Sequence, residues 1–417
     1  MLNIKEFVEN KDKYKELLKR KSFNDFDLLD KLINSYKLNL EFMKNEEDLR
    51  YKLNLITSEI RKDKKNKILH RDASILSNKI RDINNKRSEI NEFYRKDILR
   101  IPNLPLEETP IGNTEKDNVV LKEINKFKKN KNIKYKPHWE ILEEKRLILK
   151  NEASQLSGRR HVIFRDKAAL LVRAIETYML EKHYKNNYEI IDPPLIVNKE
   201  MLINTGQLPN FKEDLFELKN GQYLIPTAEV PLTNLVANKI LDEKVLPLNY
   251  SAFTDCFRNE RVAAGQDARG IIRLFQFRKV EIVKIGKRED YPKDFENLLN
   301  DAKSILDDFK LPYRLLELST GDLSFSSKRT IDLEVFFPGI NEYKEVSSIS
   351  FIGDFQARRM KTRYKKEDGT KAIPFTYNGS ALAIERIFAA ILENYLNENG
   401  DILIPEILKK YLPFKKI

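Results

Sequence analysis

Residues suited to binding a nucleotide and an amino group alternate along the stretch from Phe253 to Lys287. Two segments with β-type alternation flank a polar loop, and Arg273, Phe277 and Glu281 are predicted to share one face of the second. The opposite, apolar face comprises Ile272, Leu274, Val280 and Ile282. Strand residues four apart lie about 13 Å apart. Arginine binds phosphate oxygens, an aromatic ring stacks on a purine and a carboxylate pairs with an ammonium. The pattern therefore predicts a sheet surface that binds a nucleotide joined to an amine.

The alternative is an amphipathic hairpin with a solvated charged face. Arg258 and Glu260 are predicted to share a face of the first segment, so one surface carries two guanidinium groups, an aromatic ring and two carboxylates. This combination favours a binding site over a solvated face.

Two further segments carry polar groups of the same kinds. Pro226 and Pro231 bracket Thr227-Ala228-Glu229, which is predicted to be extended with its hydroxyl and carboxylate on one face. Those two groups suit an α-ammonium. In the run from Asn378 to Arg386, Ser380 is predicted to N-cap a helix that carries Arg386 in its second turn.

The composition limits the classes of protein. A chain of 417 residues with 41% hydrophobic residues predicts two domains and a sizeable core. No apolar run approaches 18 residues and the N-terminal sequence lacks a signal region, so we expect no membrane partner and a cytoplasmic location. One cysteine, Cys256, excludes a disulfide within the chain. Four histidines without metal-ligand spacing predict no zinc site. They are His70, His138, His161 and His183.

The first hundred residues have the pattern of an antiparallel α-helical coiled coil. Two helices are predicted from apolar residues at coiled-coil spacing. The seam residues are Leu29, Ile33, Tyr36, Leu40, Met43, Leu49, Leu53, Ile56, Ile60, Leu69, Leu76, Ile83 and Ile90. The basic segment from Arg61 to Lys67 lies between the helices, as the tip of a hairpin does.

The positive charge of this region is localised. Residues 1–100 carry 25 Lys and Arg against 18 Asp and Glu, and the excess lies within residues 61–100. A dimerisation coiled coil is the alternative, but localised positive charge favours a polyanion partner.

A proline-rich segment after the second helix predicts the domain boundary. The expected division is a helical arm over residues 1–103, a linker over 104–114 and a second domain over 115–417.

The segments of the second domain resemble the three motifs of class II aminoacyl-tRNA synthetases, most closely those of the seryl-tRNA synthetase family. Arg258-Asn259-Glu260 with the run from Arg273 to Glu281 resembles motif 2, and Asn378 to Arg386 resembles motif 3. The helix predicted from Asp166 to Lys185 and the strand after it resemble motif 1. Departures include Glu385, where the family commonly has glycine. The resemblance implies an α+β catalytic domain on an antiparallel β-sheet flanked by helices, preceded by the coiled-coil arm.

The resemblance also implies roles for residues. Arg258 and Arg386 are expected to be catalytic, on the α- and γ-phosphates of ATP. The expected ATP-binding residues are Arg258, Asn259, Glu260, Arg273, Leu274, Phe277, Glu345, Val346, Ser347, Ser348 and Arg386. The expected L-serine-binding residues are Thr227, Ala228, Glu229, Glu281, Asn378 and Ser380. Glu345 and Ser348 are expected to hold Mg²⁺ with ATP, which suits hard oxygen ligands. The expected tRNA-binding residues of the arm are Arg61, Lys62, Lys64, Lys65, Lys67 and Arg71.

The implied function is ATP-dependent ligation of L-serine to tRNA(Ser), with charging of tRNA(Sec) left open, by a homodimer. Two alternatives remain at this point. One is a related enzyme that loads an amino acid onto a carrier protein, and the other is a non-catalytic nucleic-acid-binding protein. The long arm disfavours the first, and the retained Arg258, Glu281, Glu345 and Arg386 disfavour the second.

Overall fold

The computed structural model describes residues 1–259 and 269–417. These residues form two compact units, Met1–Pro102 and Asn103–Ile417. The α-helices are α1 Ile4–Glu9, α2 Lys11–Arg20, α3 Phe26–Lys62, α4 Lys67–Ile98, α5 His138–Glu144, α6 Lys150–Ser157, α7 Asp166–Lys185, α8 Lys199–Thr205, α9 Glu229–Asn234, α10 Lys293–Asp308, α11 Phe355–Arg359 and α12 Ile384–Asn394. The strands are β1 Val119–Ile124, β2 Glu189–Ile190, β3 Ile196–Asn198, β4 Gln222–Leu224, β5 Ile240–Asp242, β6 Leu248–Phe257, β7 Gln276–Gly286, β8 Tyr313–Glu317, β9 Arg329–Phe337, β10 Glu342–Gly353, β11 Arg363–Lys365, β12 Lys371–Ala372 and β13 Phe375–Ala383.

The first unit is built on the long helix pair α3 and α4. The Asp25 carboxylate caps α3 by accepting a hydrogen bond from the Leu28 N–H at 3.1 Å, and the Asn66 side chain caps α4. Glu46 is buried in the pair, where it forms ion pairs with Arg50 and Arg87. The predicted coiled-coil arm with its tip near residues 61–67 is confirmed.

The second unit is organised around a large, mainly antiparallel sheet. Within the described residues its eight strands run in the order β1-β8-β9-β10-β13-β7-β6-β2, and β2 pairs with β6 in parallel. Helices α7, α10 and α12 contribute to the core on one face, where Val280 and Ile282 of β7 are fully buried. The other face of β7 carries Phe277, Lys279 and Glu281, because successive side chains of a strand point to opposite sides. The predicted α+β fold is confirmed.

Three local predictions were wrong. Strand β7 begins at Gln276, so Ile272, Arg273 and Leu274 lie before it, because its partner β6 ends at Phe257. The segment around Thr227 is not extended, since α9 begins at Glu229.

The third error concerns Ser380, which lies in β13 and does not cap a helix. Its backbone pairs with Glu281 of β7, and α12 begins at Ile384, so Arg386 lies in its first turn. Glycine suits position 379 of this central strand, because a Cβ added to Gly379 would lie 2.2 Å from the Ile349 Cδ1 atom and clash with it. The backbone of this segment is paired in the sheet, so its N–H and C=O groups are not available for the first turn of a helix.

The segment that follows Pro102 packs on the second unit. The Asn103 side chain donates hydrogen bonds to the carbonyls of Ser326 at 2.8 Å and Ile352 at 2.7 Å. The predicted boundaries at residues 103 and 114 remain a prediction.

Across the described residues, no helix combines the length and the apolar character that a bilayer crossing requires.

Candidate active site

A cavity of about 1020 Å³ opens on the face of the sheet opposite the helices. Nine of the predicted site residues line it: Thr227, Glu229, Arg258, Arg273, Glu345, Ser348, Asn378, Ser380 and Arg386. They come from β10, β13 and α12, from the start of α9 and the residues just before it, and from the segments that follow β6 and precede β7. The fold therefore brings residues of the motif 2 and motif 3 segments, of the segment around Thr227 and of β10 to one cavity.

Arg386 and Glu345 face each other in this cavity. The Arg386 Nη1 atom donates to the Glu345 backbone carbonyl at 2.7 Å and lies 3.1 Å from Glu345 Oε2. Its Nε donates to the Ile272 carbonyl at 3.2 Å. Partial removal from water opposes ionisation of Glu345, but the charge of Arg386 and their hydrogen bond outweigh this and lower the pKa of the carboxyl. The guanidinium is thus oriented with donors left for an anion.

Arg258 is held at the end of β6. Its Nε donates to the Pro226 carbonyl at 3.2 Å, and its guanidinium carbon lies 5.2 Å from the centroid of the Phe277 ring. This cation–π contact leaves an always-charged fork in the cavity. Arg258 and Arg386 together make the cavity suitable for a polyphosphate.

Glu229 is a buried carboxylate at the start of α9. It accepts hydrogen bonds from Gln356 Nε2 at 2.7 Å and from Gln207 Nε2 at 3.3 Å. Burial, reinforced by the negative charge of Glu281, raises the pKa of Glu229 to about 7, although Gln356, Lys279 and Arg258 favour the charged form. A cation that enters beside it lowers this pKa and gains from the ionised carboxylate.

Glu281 lies fully buried beside Ser380 and Asn378 on the neighbouring strand. Its Oε1 accepts a hydrogen bond from Asn378 Nδ2 at 3.4 Å, and its Oε2 lies 2.5 Å from Lys279 Nζ. A buried carboxylate beside a hydroxyl and an amide suits a small polar ligand with both an ammonium and a hydroxyl.

Several predicted residues point elsewhere. The side chains of Ala228, Leu274 and Val346 are buried, and the buried Ser347 hydroxyl donates to the Ser380 carbonyl at 2.5 Å. Asn259 donates from Nδ2 to the Glu213 carbonyl at 3.2 Å. Glu260 lies outside the described residues.

Glu385 is explained by a partner on β7. Its Oε1 accepts from Arg278 Nε and its Oε2 from the Arg278 N–H, both at 2.9 Å. Burial raises the pKa of the Glu385 carboxyl against the opposing charge of Arg278. The pair ties the first turn of α12, which carries Arg386, to β7.

Three residues that contact the predicted ligand-binding groups were missed by the sequence analysis. Lys279 donates from Nζ to Thr227 Oγ1 at 3.0 Å, and Gln207 and Gln356 hold Glu229. The alternation that places Phe277 and Glu281 on one face of the strand also places Lys279 there, so the sequence did contain a signal for Lys279. Nothing in the local pattern linked Gln356 to a residue 127 positions away.

The arm presents its predicted basic residues to solvent. Arg61, Lys62, Lys64, Lys65, Lys67 and Arg71 are all exposed. Lys67 and Arg71 lie in the first two turns of α4, and the first turn contains no acidic residue. Cations at a helix N-terminus oppose the helix dipole, so helix stability does not account for them.

A second cavity, of about 550 Å³, lies on the other side of β6 and β7. Helices α6 and α7 contribute Leu156 and Leu170 to its lining, and both leucines are exposed. The Arg278–Glu385 pair lines the same cavity.

Among the described residues, no group of three or more His, Cys, Asp or Glu side chains has the arrangement of a metal centre.

Comparison with known proteins agrees with the fold. Residues 212–395 match the family model described as the tRNA synthetase class II core domain (G, H, P, S and T), and residues 1–105 match the seryl-tRNA synthetase N-terminal domain. The serine–tRNA ligase of Mycoplasma mobile is 43% identical over 430 residues, covering 100% of both chains. That of Mesoplasma florum is 39% identical and covers 100% of this chain and 99% of its own. A crystal structure described as seryl-tRNA synthetase from Pyrococcus horikoshii complexed with ATP superposes with a TM-score of 0.93 and 29% identity, over 100% of this chain and 99% of that chain. The chain belongs to the seryl-tRNA synthetase family of class II aminoacyl-tRNA synthetases.

Proposed function

We propose that this chain activates L-serine with ATP and transfers the seryl group to the 3′ end of tRNA(Ser). The observation that carries the proposal is a single cavity in which Arg258 and Arg386 lie together with Thr227, Glu229 and Ser380. Membership of the family, and the relative whose structure is described with ATP, support the choice of substrates.

In the first step, a serine carboxylate oxygen attacks the α-phosphorus of ATP. The bond to the bridging oxygen breaks, and pyrophosphate leaves with its electron pair. Arg258 and Arg386 neutralise charge on the phosphates, while the side chains of Glu229 and Glu281 hold the ammonium end of serine. Positioning and fixed charge thus supply the rate enhancement.

Mg²⁺ is proposed to accompany ATP at Glu345 and Ser348. The Glu345 side chain is 42% exposed and Ser348 lines the same cavity, so one carboxylate and one hydroxyl face the space for the phosphates. This donor set fits a hard divalent cation that takes its other ligands from phosphate and water. Bound there, the cation supplies further charge neutralisation on the phosphates.

Selection of serine is assigned to Glu281, Asn378 and Ser380. These side chains lie on β7 and β13, where Ser380 pairs with Glu281. A site whose buried polar groups bond a hydroxyl rejects alanine strongly, because those groups then lose their partner.

In the second step, a ribose hydroxyl at the 3′ end of tRNA attacks the carbonyl carbon of seryl-adenylate. The bond from that carbon to the phosphate oxygen breaks, AMP leaves with the electron pair, and the hydroxyl proton is released. The exposed basic tip of the arm is proposed to bind the tRNA phosphates. This accounts for Lys67 and Arg71 at a helix start, where they oppose the dipole.

The chain is proposed to act as a homodimer. The surface around the 550 Å³ cavity combines the exposed Leu156 and Leu170 with the polar Arg173 and Gln276. Mass measurement by light scattering tests this: a mass of twice 49.1 kDa is expected, and a monomer that charges tRNA contradicts it.

Pyrophosphate exchange into ATP, measured with each amino acid in turn, tests the activation step. We expect exchange with serine, and its loss in Glu281→Ala. A matched control is Glu317→Ala, which removes a buried glutamate that pairs with Arg329 outside the cavity. Exchange with another amino acid in place of serine, or normal exchange in Glu281→Ala, overturns the assignment.

Charging of a tRNA(Ser) transcript tests the second step. The same transcript assay with tRNA(Sec) decides whether that tRNA is also a substrate. Serine exchange without charging of tRNA(Ser), but with transfer to a carrier protein, favours the alternative enzyme class.

A further inference from the structure

Lys279 is a buried lysine in the part of the cavity assigned to serine. It is 7% exposed, lies on β7 between Phe277 and Glu281, and lines the cavity. Its Nζ lies 2.5 Å from Glu281 Oε2 and donates to Thr227 Oγ1 at 3.0 Å. Its ammonium therefore already pairs with Glu281, which the proposed function assigns to the ammonium of the substrate, and with Thr227, which is expected to bind serine.

A buried ion pair alone is weak evidence of a role. The same strand offers a comparison in Lys284, whose Nζ lies 3.2 Å from Asp294 Oδ1, with both side chains buried. Lys284 points to the opposite face and lies outside the cavity. Lys279 differs because it lines the cavity together with its partner Thr227, and its other partner, the buried Glu281, is assigned to serine.

The local charges balance in pairs. The charge of Glu281 raises the pKa of Glu229, and the charges of Lys279 and Arg258 lower it. Two cations thus lie near two carboxylates. Serine enters as a zwitterion and adds one charge of each sign. Its carboxylate oxygens lie about 3 Å from its own ammonium nitrogen by covalent geometry. A lysine ammonium on a flexible four-carbon stem can move that distance.

We propose that Lys279 exchanges partners with the substrate: the serine ammonium replaces the Lys279 ammonium at Thr227 and Glu281, and Lys279 then pairs with the serine carboxylate. This inference rests on the proposed function. Lys279 holds the Glu281 side chain in place before serine binds. Afterwards it reduces the repulsion between the serine carboxylate and the α-phosphate of ATP.

The exchange provides selectivity for a free α-amino acid. A ligand with the ammonium and hydroxyl but no carboxylate displaces Lys279 without offering it a new partner. Serinol, which carries a second hydroxymethyl group in place of the carboxylate, is such a ligand. The wild-type protein therefore binds serinol more weakly than serine.

The test compares wild type, Lys279→Met and the matched control Lys284→Met. Serine-dependent pyrophosphate exchange gives kcat and KM, and inhibition of exchange gives the affinity for serinol. For Lys279→Met we expect kcat/KM for serine to fall by about a hundredfold. We also expect serinol to bind about tenfold more tightly, since no internal cation competes for Glu281. Lys284→Met is expected to change both quantities less than threefold.

A Lys279→Met protein with normal kcat/KM, or with weaker serinol binding, overturns the inference while leaving the proposed function intact. Equal losses in Lys279→Met and Lys284→Met also overturn it, because they indicate a general effect of removing a buried lysine. Absence of serine-dependent exchange in wild type overturns the proposed function itself. If thermal melting shows that Lys279→Met is unfolded, Lys279→Gln, which keeps a donor without the charge, carries the same comparison.

Discussion

The KM for serine is expected to fall about tenfold as the pH rises from about 6 to about 8. Glu229 must be ionised to bind the serine ammonium, yet burial and the nearby Glu281 raise its pKa to about 7. Below that pH, most molecules carry a neutral carboxyl that binds an ammonium poorly. With a pKa near 7, the ionised fraction rises from about one tenth at pH 6 to about nine tenths at pH 8. The ratio of these fractions gives the expected change in KM.

Pyrophosphate exchange at varied serine concentration, repeated from pH 6 to pH 8.5, measures this profile. Glu229→Gln keeps the shape and cannot ionise, so its KM is expected to be high and nearly independent of pH over this range. Glu317→Gln, at a buried glutamate outside the cavity, is the matched control and should retain the wild-type profile. A wild-type KM that is constant from pH 6 to pH 8, or a Glu229→Gln profile that still follows an apparent pKa near 7, refutes the reasoning.

Three further predictions concern stability and the arm. First, folding raises the pKa of Glu229, so its protonated carboxyl contributes to the stability of the folded state. This contribution is fully present below about pH 4.5 and is lost as the pH rises through about 7. The stability of Glu229→Gln relative to wild type should therefore be about 2–3 kcal/mol more favourable at pH 8 than at pH 5 in denaturant unfolding; an equal difference at both values contradicts this. Second, Glu385→Ala leaves the Arg278 guanidinium without its carboxylate partner. The free energy of unfolding in denaturant should therefore fall by about 3 kcal/mol, and the kcat of pyrophosphate exchange should fall. Unchanged stability argues against a structural role for the Arg278–Glu385 pair. Third, replacing Lys62, Lys64, Lys65 and Lys67 with glutamine should raise the KM for tRNA and reduce its salt dependence while leaving pyrophosphate exchange unchanged. The control changes four exposed lysines of the second unit, Lys128, Lys129, Lys131 and Lys134, to glutamine, and an equal effect there shows that only net charge matters.

The local pattern of residues was sufficient to predict several features of the fold and the site. The helix α7 was predicted with its observed bounds, Asp166–Lys185, because apolar residues repeat at helical spacing over its whole length. Phe277 and Glu281 were placed on one face by period-two alternation. The arm and its basic tip followed from heptad spacing and from the position of charged residues along the chain. Periodicity and charge are properties of neighbouring residues, so they are visible before folding.

The start of α12 was not predictable in the same way. Ser380 has the side chain of an N-cap, and local propensity favoured a helix there. The strand continues to Ala383 because it pairs with β10 up to Gly379 and with β7 as far as Ala383. Pairing with distant strands outweighed the local preference.

The sequence by itself determined which chemical groups the site contains, the family to which the chain belongs and the presence of a basic arm. The tertiary structure alone decided the state and the partners of those groups: Glu229 has a pKa near 7, Glu385 pairs with Arg278, and Lys279 bonds to Thr227 across 52 positions of chain. Burial and sheet register set these properties, and both depend on contacts between residues that are far apart in the sequence.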